Sequence, residues 1–447
     1  MNAKRPPNQW MKYLHQYCPG CEYCFDAGRT GGGIYWIENQ RGTWIALNET
    51  QFKRELQQCG VPPKVQQGSR AHVSPVDECL LGIQHNYDVA FAGPLAGYKA
   101  GIHEMCGQRI LVTESPRIIE PRRGDWPTLR SVIDGMLRGE QDQKFNQEHY
   151  LYGWAKHARE ALCAGQPRPA QAVVFAGPHD CGKSLLQNLF TVLFGGRYAR
   201  PYKFMTGLTE FNSDLFRSEH LMIEDEPAST DIRSRRNFGA QIKIITANEG
   251  KRCHAKHRVA VDLLPFWRLS ISVNDEPENL MVLPPIDDSI QDKLIILRTV
   301  KKPMPMPTKT LKQRLVFWEK LVGELPAFVH FLEEWRIPRK LEGDRYGVAY
   351  FHHPEILEAI DALAPEFKLL SLIKHHFDCL GDTSWGPHPA EKLERELNGS
   401  DSQYEAKKLF SFPDACGTYL GRLAKKYPER FISTRTSEER LWTIEWP

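Results

Sequence analysis

The run Gly177-Pro178-His179-Asp180-Cys181-Gly182-Lys183-Ser184 constrains this chain more than any other stretch. A Gly-x-x-x-x-Gly-Lys-Ser segment has meaning in one setting, between a buried strand and a helix whose first turn aims its N–H groups at phosphate. Both flanks fit. Ala172-Val173-Val174-Phe175-Ala176 is a continuous apolar run of the kind buried in parallel sheets, and Lys183–Phe194 repeats apolar residues at helical spacing. Gly177 and Gly182 let the backbone close around phosphates, Lys183 reaches the β and γ oxygens from what reads as an exposed loop, and Ser184 offers a hydroxyl to Mg2+. The segment from Gly177 through Leu185 is therefore read as a nucleotide-binding loop, with ATP and Mg2+ as its expected ligands.

Hydrolysis requires a second strand that ends in carboxylates, and His220-Leu221-Met222-Ile223-Glu224-Asp225-Glu226 supplies one about forty residues further on. Asp225 is assigned to the Mg2+ shell and Glu226 to the general base, with Glu224 as the alternative if the register shifts by one. A third strand, Leu269-Ser270-Ile271-Ser272-Val273, ends in Asn274. A polar side chain at such a tip can hold the γ-phosphate or the attacking water, although Asn274-Asp275 also fits a simple turn.

Composition narrows the setting without deciding it. The 447 residues suffice for several domains, and a hydrophobic share of 41% supports packed cores. With 58 Lys+Arg against 55 Asp+Glu, any nucleic-acid contact must come from a local basic patch. No apolar run approaches the ~20 residues of a membrane span, and the polar, Pro-containing start Met1–Gln9 lacks the apolar core of a signal peptide, so a cytosolic (cytoplasmic) protein without membrane contact is expected. The 11 cysteines read as reduced core thiols. Cys18, Cys21 and Cys24 have metal-ligand spacing, with His15 or a distant Cys to complete a zinc or iron–sulfur set, but no second pair follows; buried or free thiols are the favoured reading.

The fold class expected is α/β. Residues 1–115 form a small α+β domain, with a hairpin from Ile34 to Leu47 and a helix at Glu49–Cys59; strand-like pieces follow at Arg109–Thr113 and Pro116–Glu120. Residues 116–169 form a helical collar or linker containing Leu129–Arg138 and Asn146–Ala164, and 170–300 form the P-loop core. After the proline-rich Lys301–Pro307, residues 301–353 form a helical lid with helices at Leu311–Val322 and Leu325–Trp335. Residues 354–447 carry helices near Ile356–Leu363, Phe367–Leu380, Pro389–Leu397 and Pro413–Lys426, then strands Phe431–Arg435 and Arg440–Trp446, the order of a winged helix.

The order glycine loop, acidic strand, basic segment, then strand plus Asn274 resembles the superfamily 3 helicases, AAA+-type motors of viruses, phages and mobile elements, and more closely the phage and plasmid primase-helicase or virulence-associated E group. Gly195-Gly196-Arg197, Thr206–Asn212, Pro265-Phe266-Trp267-Arg268, Asn274-Asp275-Glu276-Pro277 and Tyr350–Pro354 carry the likeness, which covers roughly Gly93 to Leu380. It implies a ring, as a homo-hexamer or similar assembly, that threads single-stranded or forked DNA and grips it with a hairpin between the acidic strand and the Asn strand. Lys251, Arg252, His254, Lys256, His257 and Arg258 are the candidate grip, a compact phosphate-binding surface. The resemblance also implies a finger from a neighbouring subunit that neutralises transition-state charge. Lys293 stands where many relatives have arginine, with Arg298 five residues on and Arg268 before the Asn strand, and lysine lacks the planar bidentate contact of arginine. Met1–Glu114 offers no Asp-x-Asp or Asp-x-Glu metal pair, so a primase or polymerase would be a separate partner. Arg422, Lys425 and Lys426, with Arg435 and Arg440 on the wing, are candidates for duplex DNA, a protein-contact or lid role being the equal alternative. A DNA helicase or translocase of a phage or mobile element is the first expectation. The alternative is a nucleotide-controlled DNA-binding assembly, or a defence or packaging ATPase, that does not unwind.

Overall fold

Strand, glycine loop and helix form as the sequence predicts in the computed structural model, which describes residues 9–17, 22–27, 33–39, 41–65, 72–224, 226, 232–247, 249–256, 258–284, 286–381, 383–437 and 439–446. The glycine loop leaves β1 (Ala172–Ala176), a central strand of an all-parallel sheet. The others are β2 (Tyr198–Ala199), β3 (His220–Glu224), β4 (Arg268–Val273), β5 (Leu294–Arg298) and β6 (Phe351–His352), and the sheet order is β6-β5-β1-β4-β3-β2. Every residue of β1 and β4 is buried, β1 as a continuous apolar strand covered on both faces and β4 with Arg268, Ser270 and Ser272 among its apolar residues. The order has a functional consequence. The chain reaches β5 by passing over β1, so β1 lies at a topological switch point, where the carboxyl ends of parallel strands leave a crevice for ligands.

One core joins this sheet to helices on either side of it in sequence. Helices α1 (Pro127–Leu137), α2 (Gln147–Ala164), α3 (Lys183–Leu193) and α4 (Leu311–Glu334) contribute Leu129, Ile133, Leu151, Trp154, Leu186, Phe190, Leu321 and Phe328 to a cluster that also contains Val173, Phe175, Ile295 and Leu297. The two helices expected at Leu311–Val322 and Leu325–Trp335 are thus a single one, and Pro326 lies inside it. Proline breaks helices by removing a donor and crowding the preceding turn. Here burial of Leu321, Leu325 and Phe328 on one face outweighs that, and the Pro326 carbonyl accepts from Arg122 N. The strand expected at Pro116–Glu120 does not form either. It is extended chain whose backbone is met singly, with Arg117 N donating to Gly195 O and Arg159 donating to Ile119 O.

The amino-terminal part has a three-stranded antiparallel sheet, Tyr23–Asp26, Ile34–Glu38 and Trp44–Leu47, packed with helices Gln9–Tyr17, Glu49–Gln58 and Pro75–Asn86. Asn48 and Gln51 form a capping box at the start of the second helix. A second sheet of Phe91–Gly93, Gly101–Met105 and Gln108–Val112 follows. Cys24 lies in the core beside Trp44 and Leu111, and burial pushes its thiol up to about 12, which disfavours the thiolate a metal needs. Cys18 and Cys21 lie outside the described residues.

The chain divides into two units: residues 1–274 with 288–352, and residues 275–287 with 353–447. In the second, helices Pro354–Leu363 and Pro365–Leu380 precede the strand Ser384–Pro389, helices Ala390–Asn398, Gln403–Leu409 and Ala415–Lys426, and the hairpin Phe431–Arg435 with Arg440–Glu445. The strand Ser384–Pro389 had no signature in the sequence. It holds two prolines and pairs, with a register shift after Trp385, at the edge of a three-stranded sheet, where proline is tolerated. No helix among the described residues is long and apolar enough to cross a membrane.

Candidate functional site

Lys183 opens α3 directly after the glycine loop and is buried, with 6% of its surface accessible. Its ammonium donates to Gly177 O at 2.8 Å, to Pro178 O at 2.8 Å and to Asn274 Oδ1 at 2.9 Å. An exposed lysine was expected; the loop instead folds its carbonyls inward around the cation. The bond to Asn274 joins the tip of β4 to the loop.

Two glycines meet the demands made of them. A Cβ on Gly177 would lie 2.2 Å from Thr299 O, and Gly182 has φ +100 beneath Met304 and Met136. Thr299, directly after β5, forms the loop's back wall: its N–H donates to Ala176 O and its hydroxyl lies 3.2 Å from the buried Cys181 Sγ. At the crest His179 Nδ1 lies 3.1 Å from Asp180 Oδ1, and both side chains are exposed. The cradle, cation and Ser184 hydroxyl fit a nucleoside triphosphate with Mg2+. Ser184 and Asp225 are the candidate metal ligands, and the ion would neutralise charge on the β and γ oxygens.

On the acidic strand Asp225 lies outside the described residues, and Glu226 is half-buried past the end of β3. Glu224, the alternative by one position, is engaged by Arg200 at 3.1 Å. Helix α3 is tied to β3 and β4 beneath the site by a buried network with no motif to announce it. Gln187 Nε2 donates to Ser270 Oγ at 2.8 Å and to Ile223 O at 3.2 Å, and the ring nitrogens of His220 lie 2.7 Å from Thr191 Oγ1 and 2.7 Å from Ser270 Oγ. Desolvation lowers the His220 pKa to about 3, so the ring is neutral.

The finger candidates separate. Arg298 pairs in register with Ala176, so it stands at the loop's end of the sheet, where its guanidinium lies 3.2 Å from the buried Asp142. Lys293 precedes β5 at the opposite end, 2.6 Å from Asp292 Oδ1. Arg268 is buried, donates to Arg168 O and Trp267 O, and burial lowers its pKa to about 9. It has a structural part and no access to a neighbour.

The basic segment forms the expected hairpin: Lys251–Cys253 pairs antiparallel with Val261–Leu263. Asn212 clamps it, accepting from His254 N at 2.7 Å and donating to Arg252 O at 3.1 Å. The cations are not equivalent. Arg252 and Lys256 are exposed, whereas Lys251 is half-buried and burial lowers its pKa. Arg258, only partly exposed, lies 3.2 Å from the carboxylate of the buried Asp26 and so braces the hairpin against the amino-terminal sheet. His257 lies outside the described residues. In the second unit Arg422 pairs with Glu366 at 3.0 Å and Lys426 with Asp361.

Neither a protein-family model nor a curated protein sequence matches the chain. Solved structures do. The apo C-terminal region of NrS-1 is similar over 100% of this chain and 100% of that one, with 13% identity and a TM-score of 0.57. A second structure of that region gives 12% identity and a TM-score of 0.55 over 99% of this chain and 100% of that one. A structure titled SCCmec type IV Cch, active helicase, matches at 10% identity over 92% of this chain and 74% of that one, at a TM-score of 0.31 that is too low to bear on the fold. The likeness to the NrS-1 region shows that the fold of the whole chain recurs in a solved structure.

Proposed function

We propose that the chain is an ATP-dependent DNA helicase or translocase that works as a ring, on single-stranded or forked DNA, in the replication of a phage or mobile element. The observation that carries this reading is the junction of Lys183 with Asn274, which brings the glycine loop and the Asn strand into one site beside the acidic strand. In this reading Lys183 and the loop N–H groups bind the β and γ phosphates, Glu226 takes the proton of the attacking water, and Asn274 orients that water. Charge developing on the γ-phosphate is neutralised by Mg2+ together with a cation from a neighbour. Arg298, beside its own loop, serves the site in cis; Lys293 is buried at the other end of the sheet and held by Asp292. Arg252 and Lys256 hold the DNA backbone.

A strand-displacement assay on forked duplex, with and without ATP, tests the proposal. Unwinding that requires ATP and is lost in Lys183→Ala supports it. A protein that hydrolyses ATP and assembles into rings yet separates no strand at any polarity or salt would instead be a nucleotide-controlled assembly or packaging ATPase.

A further inference from the structure

A cleft of about 680 Å³ in the first unit does not lie over the phosphate-facing residues. It opens along the outer side of α1 and is lined by Trp126, Arg130, Asp134, Arg138, Gln143 and Lys302. Its volume lies within the usual range for small-molecule clefts, roughly 300–1,000 Å³. The cleft and the glycine loop share a wall. Gly135 lines the cleft, and its neighbour Met136 lies over Gly182; Lys302 lines the cleft, and Met304, two residues on, also covers Gly182. Gln143 follows Asp142, the partner of Arg298 at the end of β5.

The sheet order gives this adjacency a direction. β1 has β4 on one side, where Asn274 reaches Lys183 and the acidic strand follows, so the γ-phosphate end of a nucleotide belongs there. The other end leaves over β5 and the segment after it, toward Met136, Met304 and the cleft. The lining suits a nucleoside. The Arg130 guanidinium stacks on the Trp126 ring at 4.4 Å, a flat cationic surface of the kind on which bases lie. The Asp134 carboxylate, 3.7 Å from Arg138 Nε, is an acceptor for a base amino group. Arg138, held by the buried Glu148, and Lys302, which donates to Arg138 O, supply cations at the side nearest the loop.

We propose that this cleft binds the purine nucleoside half of the triphosphate whose phosphates occupy the glycine loop, and that Asp134 and Arg130 set its base preference. The inference rests on the nucleotide-site reading above and extends it to residues outside that motif.

The test compares ATP with inorganic tripolyphosphate, each with Mg2+, because only ATP has a nucleoside. Gly135→Phe projects a ring into the cleft: a Cβ there meets nothing nearer than Lys302 Cβ at 4.0 Å, and leaving glycine in a helix favours the fold. It should weaken ATP binding by about tenfold or more while tripolyphosphate binding stays within about twofold. Ser131→Trp, at an exposed position on the same wall, is the second filling variant should Gly135→Phe fail to fold. Asp134→Ala should alter the ratio of ATP to GTP affinity with tripolyphosphate unaffected. Unchanged ATP binding in both filling variants, or equal loss of both ligands, overturns the proposal. If wild-type protein binds neither ligand, the nucleotide-site reading itself falls, and this inference with it.

Discussion

Removing the Lys183 side chain does two separable things. It deletes the phosphate-facing cation, so Lys183→Ala should abolish ATP turnover. It also leaves Gly177 O, Pro178 O and Asn274 Oδ1 without the donor that holds them, a cost of about 1–3 kcal/mol for buried acceptors. The variant should therefore melt at a lower temperature as well, and near-wild-type turnover would sink the site assignment. Glu226→Gln separates chemistry from binding, since the isosteric amide keeps shape and loses basicity. It should bind ATP with little change and turn it over about a hundredfold or more slowly. Should Glu226→Gln stay active while Asp225→Asn traps bound ATP, the base and the metal ligand are offset by one position.

At the scale of elements, the hairpin contains cations of two kinds, and mutation can tell them apart. Arg252→Ala with Lys256→Ala removes exposed charge, so basal ATP hydrolysis should survive while DNA affinity falls. The slope of log K against log salt should then drop by up to about 0.7 per lost contact on single strands. An unchanged slope would exclude the hairpin tip as the grip. Arg258→Ala should behave differently, because it takes the cation from the buried Asp26. It should lower stability by roughly 2 kcal/mol or more in urea unfolding, and Asp26→Asn in the same chain should restore part of that loss. Sequence alone could not separate these cases. Charge and spacing made Arg258 look like its neighbours in the run, and its partner lies more than two hundred residues earlier, in the amino-terminal sheet. Elements set by local periodicity were legible for the opposite reason. The glycine loop with its strand and helix, the acidic strand, the Asn strand and most tail helices declare themselves through neighbouring residues. The α2–β5 junction, where the Gln147 side chain meets the Arg298 backbone, the wall at Thr299 and the cleft depend on strand order, which periodicity does not encode.

Coupling between the strands of the first unit can be read as a pH dependence of the whole molecule. The Gln187, Thr191, His220 and Ser270 network ties the helix that begins with Lys183 to the acidic strand and to the Asn strand, and it requires a neutral imidazole. In the folded chain His220 titrates near 3, against an ordinary value of 6.5. The unfolded chain therefore binds a proton at His220 below about pH 6.5 that the folded chain refuses until about pH 3, and stability falls wherever the unfolded state holds more protons. The contribution is fully present above pH 6.5, declines as pH drops through that window, and is gone below about 3. Its size is of order a few kcal/mol, since each pKa unit corresponds to about 1.4 kcal/mol. Other groups titrate in the same range, so the informative quantity is a difference between proteins. His220→Gln keeps a polar side chain in the network and cannot titrate. It should be less stable than wild type at pH 7.5 and lose less stability between pH 6.5 and 4, as measured by urea midpoints at matched ionic strength. Parallel curves for the two proteins would mean that His220 is solvated or protonated in the folded state, and that the helix and the two strands are not held by this network.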